Sequence, residues 1–381
     1  MVEHEHAPLR ALIVMPLATR RGGAEHQFAQ LIEHRRLAGI EPTVAFLRDG
    51  PLVGWCRDQG VEVVALDAGR VRNIGRFART VRMLRRAALE RRVQVVIGWM
   101  GKGQLYAGPA ATAARIPGMW LQVGIPNARS AFDRVATLLP TRRVVTVSRL
   151  AESRQRALWP RRPTAVVYPA VDLVRFNVAR LGDRDAVRRR LGLPTGVPIF
   201  GSVGRLDPGK GFDELLAAVP TVLERRPEAT LVLVGGPHEL APQHAEELRR
   251  QAARLSLNGQ VRLVGEQPNP EEWIQAMDVF VQTSRYESFG MVLIEAMALG
   301  KPVISTARGG PAEIVTSGVD GLLVPGGDQR AVADALLRFL EDGELRRTTG
   351  NAALRRAEDF TVERFAREFG AVAAAAARAS R

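Results

Sequence analysis

The chain has 381 residues, of which 46 % are hydrophobic and 25 % charged, with a net charge of +14 and one cysteine. That length is long for one core and suits two domains. No apolar run approaches the ~20 residues of a membrane-spanning helix, and Cys56 alone cannot close an intrachain disulfide, which favours a reducing, cytoplasmic setting. The charge is uneven: residues 1–180 carry 29 Lys and Arg against 13 Asp and Glu, or +16, whereas residues 181–381 come to −2. Lysine stands only at Lys102, Lys210 and Lys301, and the other 51 basic residues are arginine.

In chain order, Glu3, His4, Glu5 and His6 precede "ALIVMPLA", which reads as a first strand and not as a signal peptide. No metal site is expected of the two histidines. A glycine turn with Gly22 and Gly23 leads into the helical pattern "AEHQFAQLIEHRRLAG", which carries His26 and His34. Strands are predicted at "TVAFLRDG", "VEVVALD", "VQVVIGWM", "MWLQVG" and "RVVTVS". Residues 70–92 hold nine arginines and one acid. As a helix, Phe77, Val81, Leu84 and Ala88 share one face, and Arg79, Arg82 and Arg86 point elsewhere. Those arginines are either a solvated helix face or a contact for anionic lipid or an acidic substrate.

After a bridge near 168–185 the pattern restarts. "IFGSVG", "TLVLVGG", "VRLVG", "VFVQTS", "KPVISTA" and "GLLVP" read as strands, with helical stretches between them. Strands alternating with helices predict two α/β domains with mostly parallel, Rossmann-like sheets. The alanine-rich end after "TVERFAREFG" predicts a terminal helix.

"SVGRLDPGKGFDELL", residues 202–216, places Arg205 and Lys210 in a glycine-rich turn between a strand and a helix. Ligands of open α/β sheets bind at the carboxyl ends of strands, and an arginine fork plus a lysine point charge suit a diphosphate. The spacing matches neither GxxxxGK[ST] nor GxGxxG, so the turn by itself is equally a charged surface loop. "SRYESFGMVLIEAMALGKPVI" then sets Glu287 just before a predicted helix and Glu295 about two turns into it. Between them Ser288, Phe289, Gly290 and Met291 place unpaired N–H groups at the helix start, an anion site.

With "LVLVGGP", "VRLVGE", "MDVFVQTSRYESFGMVLIEAMALGKPVISTARGGPAEIV" and "GVDGLLVP" added, the chain resembles glycosyltransferase family 4, the retaining GT-B nucleotide-sugar transferases. "RRGGAEHQFAQL", "VTVSRLAESRQRALWP" and "VVYPAVDLVRF" extend the resemblance into the first half. It implies a GT-B fold, two Rossmann-like domains facing across a cleft: 1–178 on the acceptor side, 179–361 for the nucleotide sugar, with a helix at 362–381 packing back on the first. It implies transfer of a hexose or N-acetylhexosamine from a nucleotide diphosphate sugar, UDP before GDP, to an alcohol of a lipid, glycan or secondary metabolite.

By the same resemblance Arg205 and Lys210 grip the diphosphate and act with Glu287 in catalysis. Glu287 contacts the transferred sugar, with Ser288 to Val292 around the sugar and β-phosphate. Glu295 holds the ribose, Val264, Gly265 and Glu266 lie near the base, and Gly22 and Gly23 approach the diphosphate from the first domain. No cofactor is expected, and no metal, since no DxD-like cluster stands at a strand end. Many relatives carry a histidine where this chain has "GKGQLYAG", so Lys102 is either a sugar or acceptor contact or a loop lysine; His26 is either a cleft residue or a satisfied polar one. The expected location is cytoplasmic, with peripheral contact to the inner membrane face through Arg79, Arg82 and Arg86 as one option. An epimerase or phosphorylase on the same fold is the alternative reaction. A nucleic-acid binder is the alternative of another class, and the 6 % aromatic content argues against it.

Overall fold

The computed structural model describes residues 7–20, 22–238, 241–257 and 259–378, so His4 and His6 lie outside the described residues. The chain divides into one unit of Met1–Ala170 with Val362–Arg381 and a second of Val171–Thr361.

The first unit starts with β1 (Leu9–Met15), α1 (Gly23–Glu33), β2 (Ile40–Phe46), α2 (Pro51–Asp58), β3 (Glu62–Ala65) and α3 (Ile74–Glu90). It continues with β4 (Val95–Trp99), α4 (Met100–Ala114), β5 (Gly118–Gln122), α5 (Ala131–Leu138), β6 (Arg143–Thr146), α6 (Arg149–Arg156) and β7 (Thr164–Val166). The strands form one parallel sheet in the order β3-β2-β1-β4-β5-β6-β7. β1 and β4 are buried along nearly their whole length, as the apolar runs of a doubly covered parallel sheet require.

α3 packs as its pattern predicts: Leu84 and Ala88 are fully buried and Phe77 lies 5.0 Å from the Tyr106 ring. Arg79, Arg82 and Arg86 are exposed, and Arg86 pairs with Glu90 at 2.6 Å. α4 runs against propensity, with Gly101, Gly103, Gly108 and Pro109 inside it. Close packing explains it, since a Cβ on Gly103 would stand 2.5 Å from the Val14 carbonyl oxygen. Cys56 is buried, and burial pushes its thiol up to about 12.

The second unit holds α7 (Val178–Leu181), α8 (Arg184–Arg190), β8 (Ile199–Val203), α9 (Phe212–Arg225), β9 (Thr230–Val234), α10 (His244–Arg254) and β10 (Val261–Gly265). Then follow α11 (Pro270–Ala276), β11 (Val279–Gln282), α12 (Met291–Ala298), β12 (Val303–Thr306), α13 (Pro311–Ile314), β13 (Gly321–Val324), α14 (Gln329–Glu341) and α15 (Gly343–Ala357). The predicted bridge is thus partly helical, and α14 and α15, one continuous pattern in the sequence, break at Asp342, which caps α15 through Leu345 N–H. The second sheet is parallel, in the order β10-β9-β8-β11-β12-β13.

The last helix, α16 (Val362–Arg378), belongs to the first unit. Phe369 meets the Trp99 ring at 5.7 Å, and Trp99 meets Phe28 of α1 at 5.5 Å. Burying each such ring contributes about 1.5–3 kcal/mol, which fixes the helix on this sheet.

Candidate active site

In the second sheet the strand order reverses between β8 and β11. The crevice outside the carboxyl ends of such a pair is where open α/β sheets bind ligands, and the two turns leaving β8 and β11 carry the residues singled out in the sequence.

The turn after β8 ends in a single 3-10 turn, Pro208–Lys210, capped by Asp207 Oδ1, which accepts from Gly209 N–H at 2.9 Å. Gly211 follows with φ +65°, and a Cβ there would stand 2.1 Å from the Thr283 carbonyl oxygen, so the turn lies directly on the end of β11. Thr283 Oγ1 donates to the Gly211 carbonyl at 2.7 Å. Arg285 completes the join. Its N–H donates to the Gly209 carbonyl at 2.8 Å, and its guanidinium donates to Pro208 O at 2.5 Å, Asp213 Oδ2 at 2.5 Å and Glu214 Oε1 at 2.9 Å.

This brings Lys210 and Glu287 together: Lys210 Nζ donates to Glu287 Oε2 at 2.7 Å. Gln282 Nε2 and Ser284 Oγ donate to the same oxygen, each at 3.3 Å. Both side chains are sheltered but reachable, 25 % and 13 % exposed. The Glu287 carbonyl accepts from Gly310 N–H at 3.0 Å, and Phe289 is buried against Phe360 at 5.6 Å. The segment is pinned on both sides, and Gly290 enters α12 at φ +112°. Arg205 is not gathered in. Its side chain is 53 % exposed and its nearest carboxylate, Asp207, is 3.9 Å away.

Glu295 is the fifth residue of α12, a little over one turn in, where the sequence reading put it about two turns in. It keeps some accessible surface, but its carboxyl is enclosed. Burial pushes it up to about 7, Arg175 pulls against that, and Glu271 adds to it. Arg175 is itself held by Glu271 at 2.8 Å. Val264 and Gly265 end β10, and Glu266 stands beside Gly236 at the end of β9, where a Cβ on that glycine would lie 3.1 Å from the Glu266 side chain.

In the first unit Gly22 caps α1: its carbonyl accepts from Glu25 and His26 N–H at 3.2 and 3.0 Å. Gly23 opens that helix and His26 lies in its first turn. His34 is satisfied within the helix, its Nδ1 lying 3.1 Å from the Gln30 carbonyl. Lys102 lies in the first turn of α4, just after Met100 at φ +61°. Burial, then the nearby Arg48, holds its pKa below the usual lysine value. Arg175, Glu271 and Arg285 were not singled out in the sequence, although Arg285 stands inside the quoted motif.

A broad cavity of about 1460 Å³ in the first unit is bounded by Leu9, Gln94, Gly118 and Thr141 at the amino ends of strands and by Ala374 of α16. It lies at the edge opposite to the ligand-binding edge of such sheets.

Residues 183–356 match the family glycosyl transferases, group 1. This domain contains Lys210, Glu287, Glu295 and the whole second sheet. Over 201 residues the chain is 39 % identical to D-inositol 3-phosphate glycosyltransferase of Kribbella flavida, covering 51 % of this chain and 47 % of that protein. It is 32 % identical to the lipopolysaccharide core biosynthesis mannosyltransferase LpsB of Rhizobium meliloti, covering 58 % of this chain and 64 % of that one. The chain thus spans about half to under two thirds of these relatives. The crystal structure of Anabaena Alr3699/HepE in complex with UDP and glucose aligns over 96 % of this chain and 99 % of its own, with a TM-score of 0.83 at 23 % identity. The fold is the GT-B fold of such enzymes.

Proposed function

We propose that the chain is a retaining glycosyltransferase that moves a hexosyl or N-acetylhexosaminyl group from a nucleoside diphosphate sugar to an alcohol. The observation that carries this reading is the Lys210–Glu287 contact at the strand reversal of the group 1 domain. Lys210 neutralises the diphosphate and the charge that grows on the leaving phosphate, and Arg205 adds a second cation once a ligand is present. Glu287 accepts from sugar hydroxyls, and Glu295 accepts from the ribose diol. The bond from the anomeric carbon to the β-phosphate oxygen breaks while the acceptor oxygen bonds that carbon on the same face. The hydroxyl proton passes to the departing phosphate.

UDP is the first-choice nucleotide, supported by the UDP complex of the Anabaena neighbour; GDP is the second. On the acceptor side, the half-buried Lys102 beside Arg48 suits an acceptor with an anionic group, and the inositol phosphate in the first relative's name is of that kind. The test is release of nucleoside diphosphate from a panel of nucleotide sugars and alcohols, with the anomeric proton coupling of the product read by NMR. A retained anomer supports the reading. Sugar phosphate released with inorganic phosphate, or no turnover with any donor, contradicts it.

A further inference from the structure

The short helix α5 turns apolar side chains outward. Of its eight residues only Ala136 and Thr137 are buried, while Phe132, Val135 and Leu138 are 46, 48 and 47 % exposed. Spaced three apart, they leave apolar surface on the outer side of the helix, where a globular protein normally places polar residues, while part of the Phe132 ring rests on α4, where a Cβ on Gly101 would stand 2.4 Å from it. Trp159, in the loop after α6, is 77 % exposed.

That loop is fixed to the end of α5. Arg162, three residues after Trp159, donates to the carbonyls of Thr137, Leu138 and Leu139 at 3.2, 2.9 and 3.3 Å. Gln155 Nε2 of α6 donates to Thr137 Oγ1 at 3.0 Å. The loop that carries the exposed indole is therefore fixed to the end of α5.

The surroundings are cationic. Arg129, Arg134, Arg154 and Arg161 are exposed, and among the described residues none of their guanidinium groups has an ion pair or hydrogen bond. The acids nearby are engaged: Asp133 accepts from Asn127 N–H at 3.0 Å, and Glu152 pairs with Arg156 at 2.9 Å. α3 packs on α4 and α4 on α5. The exposed Ile74, Arg79 and Arg82 of α3 therefore belong to the same layer of helices.

We infer that this face of the first unit, α5 with the Trp159 loop, docks on an anionic lipid bilayer. Aromatic and aliphatic side chains ringed by unpaired arginines match an interface in which rings sit at headgroup depth and guanidinium groups meet lipid phosphates. A second copy of the chain would bring the same arginines against one another across a two-fold axis. An acidic polymer would leave three apolar side chains and an indole without use. The sequence pointed to the arginines of α3; the structure places the apolar anchor on α5. The inference does not depend on the reaction proposed above.

The full chain is floated with phosphatidylcholine vesicles and with vesicles containing about one third phosphatidylglycerol, an anionic fraction that gives a negative surface potential. It is expected to float with the anionic vesicles only. The Phe132→Ser, Val135→Ser, Leu138→Ser triple variant, with unchanged circular dichroism, is expected to bind at least about ten-fold more weakly. Arg129→Glu with Arg134→Glu is expected to lose binding as well. Arg36→Glu with Arg115→Glu, at the cavity edge of the same unit, is expected to keep it. The inference is overturned by wild type that stays in solution, by a triple variant that floats equally, or by a control that falls as far as the site variants. It is overturned too if sedimentation shows a wild-type dimer that the triple variant dissociates, which would make this face an interface between copies.

Discussion

Lys210 Nζ and Glu287 Oε2 stand 2.7 Å apart although 77 positions separate them in the chain. One leaves β8 and the other leaves β11, so the strand reversal of the second sheet sets their approach. Lys210→Ala, by loss of the group proposed to stabilise the developing charge, and Glu287→Ala, by loss of the proposed acceptor for the sugar hydroxyls, are each expected to lower turnover about 10²–10³-fold. Glu287 retains Gln282 and Ser284 as donors when the lysine is gone. The melting midpoint is therefore expected to move little, and steady-state rates with circular dichroism check both halves.

Arg285 touches no group assigned to the reaction, yet it ties the Pro208–Lys210 turn to α9 through Pro208, Asp213 and Glu214. Arg285→Ala is expected to raise the KM for the donor about ten-fold and to cost about 1–3 kcal/mol of stability through the carboxylates and carbonyl left unpaired. Denaturant titration beside donor saturation curves measures both. A variant with unchanged KM would show that Lys210 is positioned without it.

Glu295, held near 7, gives a pH dependence with a defined sign. In the proposed role as acceptor for the ribose diol its ionised form binds best, so affinity for a nucleotide sugar is expected to fall as pH drops below 7, by up to ~10-fold per unit. Glu295→Gln is expected to bind more weakly at pH 8 and to lose this slope. In the empty protein the raised value favours the protonated native state. That contribution to stability is complete below the usual 4.5 and is lost as pH rises through 7. Calorimetric titration across this range checks the first statement, and melting curves of wild type and variant check the second.

Lys301 is buried in the second unit, donates to the Gln275 carbonyl at 2.8 Å, and is brought down to about 7 by burial. Its neighbour Asp278 pairs with Arg188 at 2.7 Å and also with Arg184. Removing the lysine therefore leaves no buried carboxylate without a cation. Because the native value is depressed, the lysine costs stability fully below pH 7, and the cost fades as pH rises toward the usual 10.5. Lys301→Met is expected to be more stable than wild type at pH 6, by about 1–3 kcal/mol, with the gap narrowing by pH 9.5. A gap independent of pH would assign the effect to packing.

Apart from β7, the strands were legible because each is a short apolar run bounded by glycine, proline or charge, and those of the second half stand where the pattern set them. α4 was not, because its glycines and Pro109 read as a loop; only the approach of Gly103 to the Val14 carbonyl shows what they are for. β7 and α5 are three and eight residues long and left no periodic trace. In the candidate site, Lys210, Glu287 and Glu295 could be singled out because they stand in sequence motifs of fixed spacing, and the structure brings Lys210 and Glu287 together. Arg175 and Arg285 were not, since their partners Glu271 and Glu214 lie 96 and 71 positions away and local pattern cannot pair them. The value near 7 of Glu295 was equally hidden, since it depends on burial.

The most direct test of the central claim is calorimetric titration of UDP-glucose into wild type and into Lys210→Ala under identical buffer. The account predicts saturable binding to wild type and a loss of affinity of at least about ten-fold in the variant, as for a charge-assisted contact to the diphosphate. Equal affinities for the two proteins would contradict it, because the nucleotide sugar would then be held somewhere other than the turn between β8 and α9.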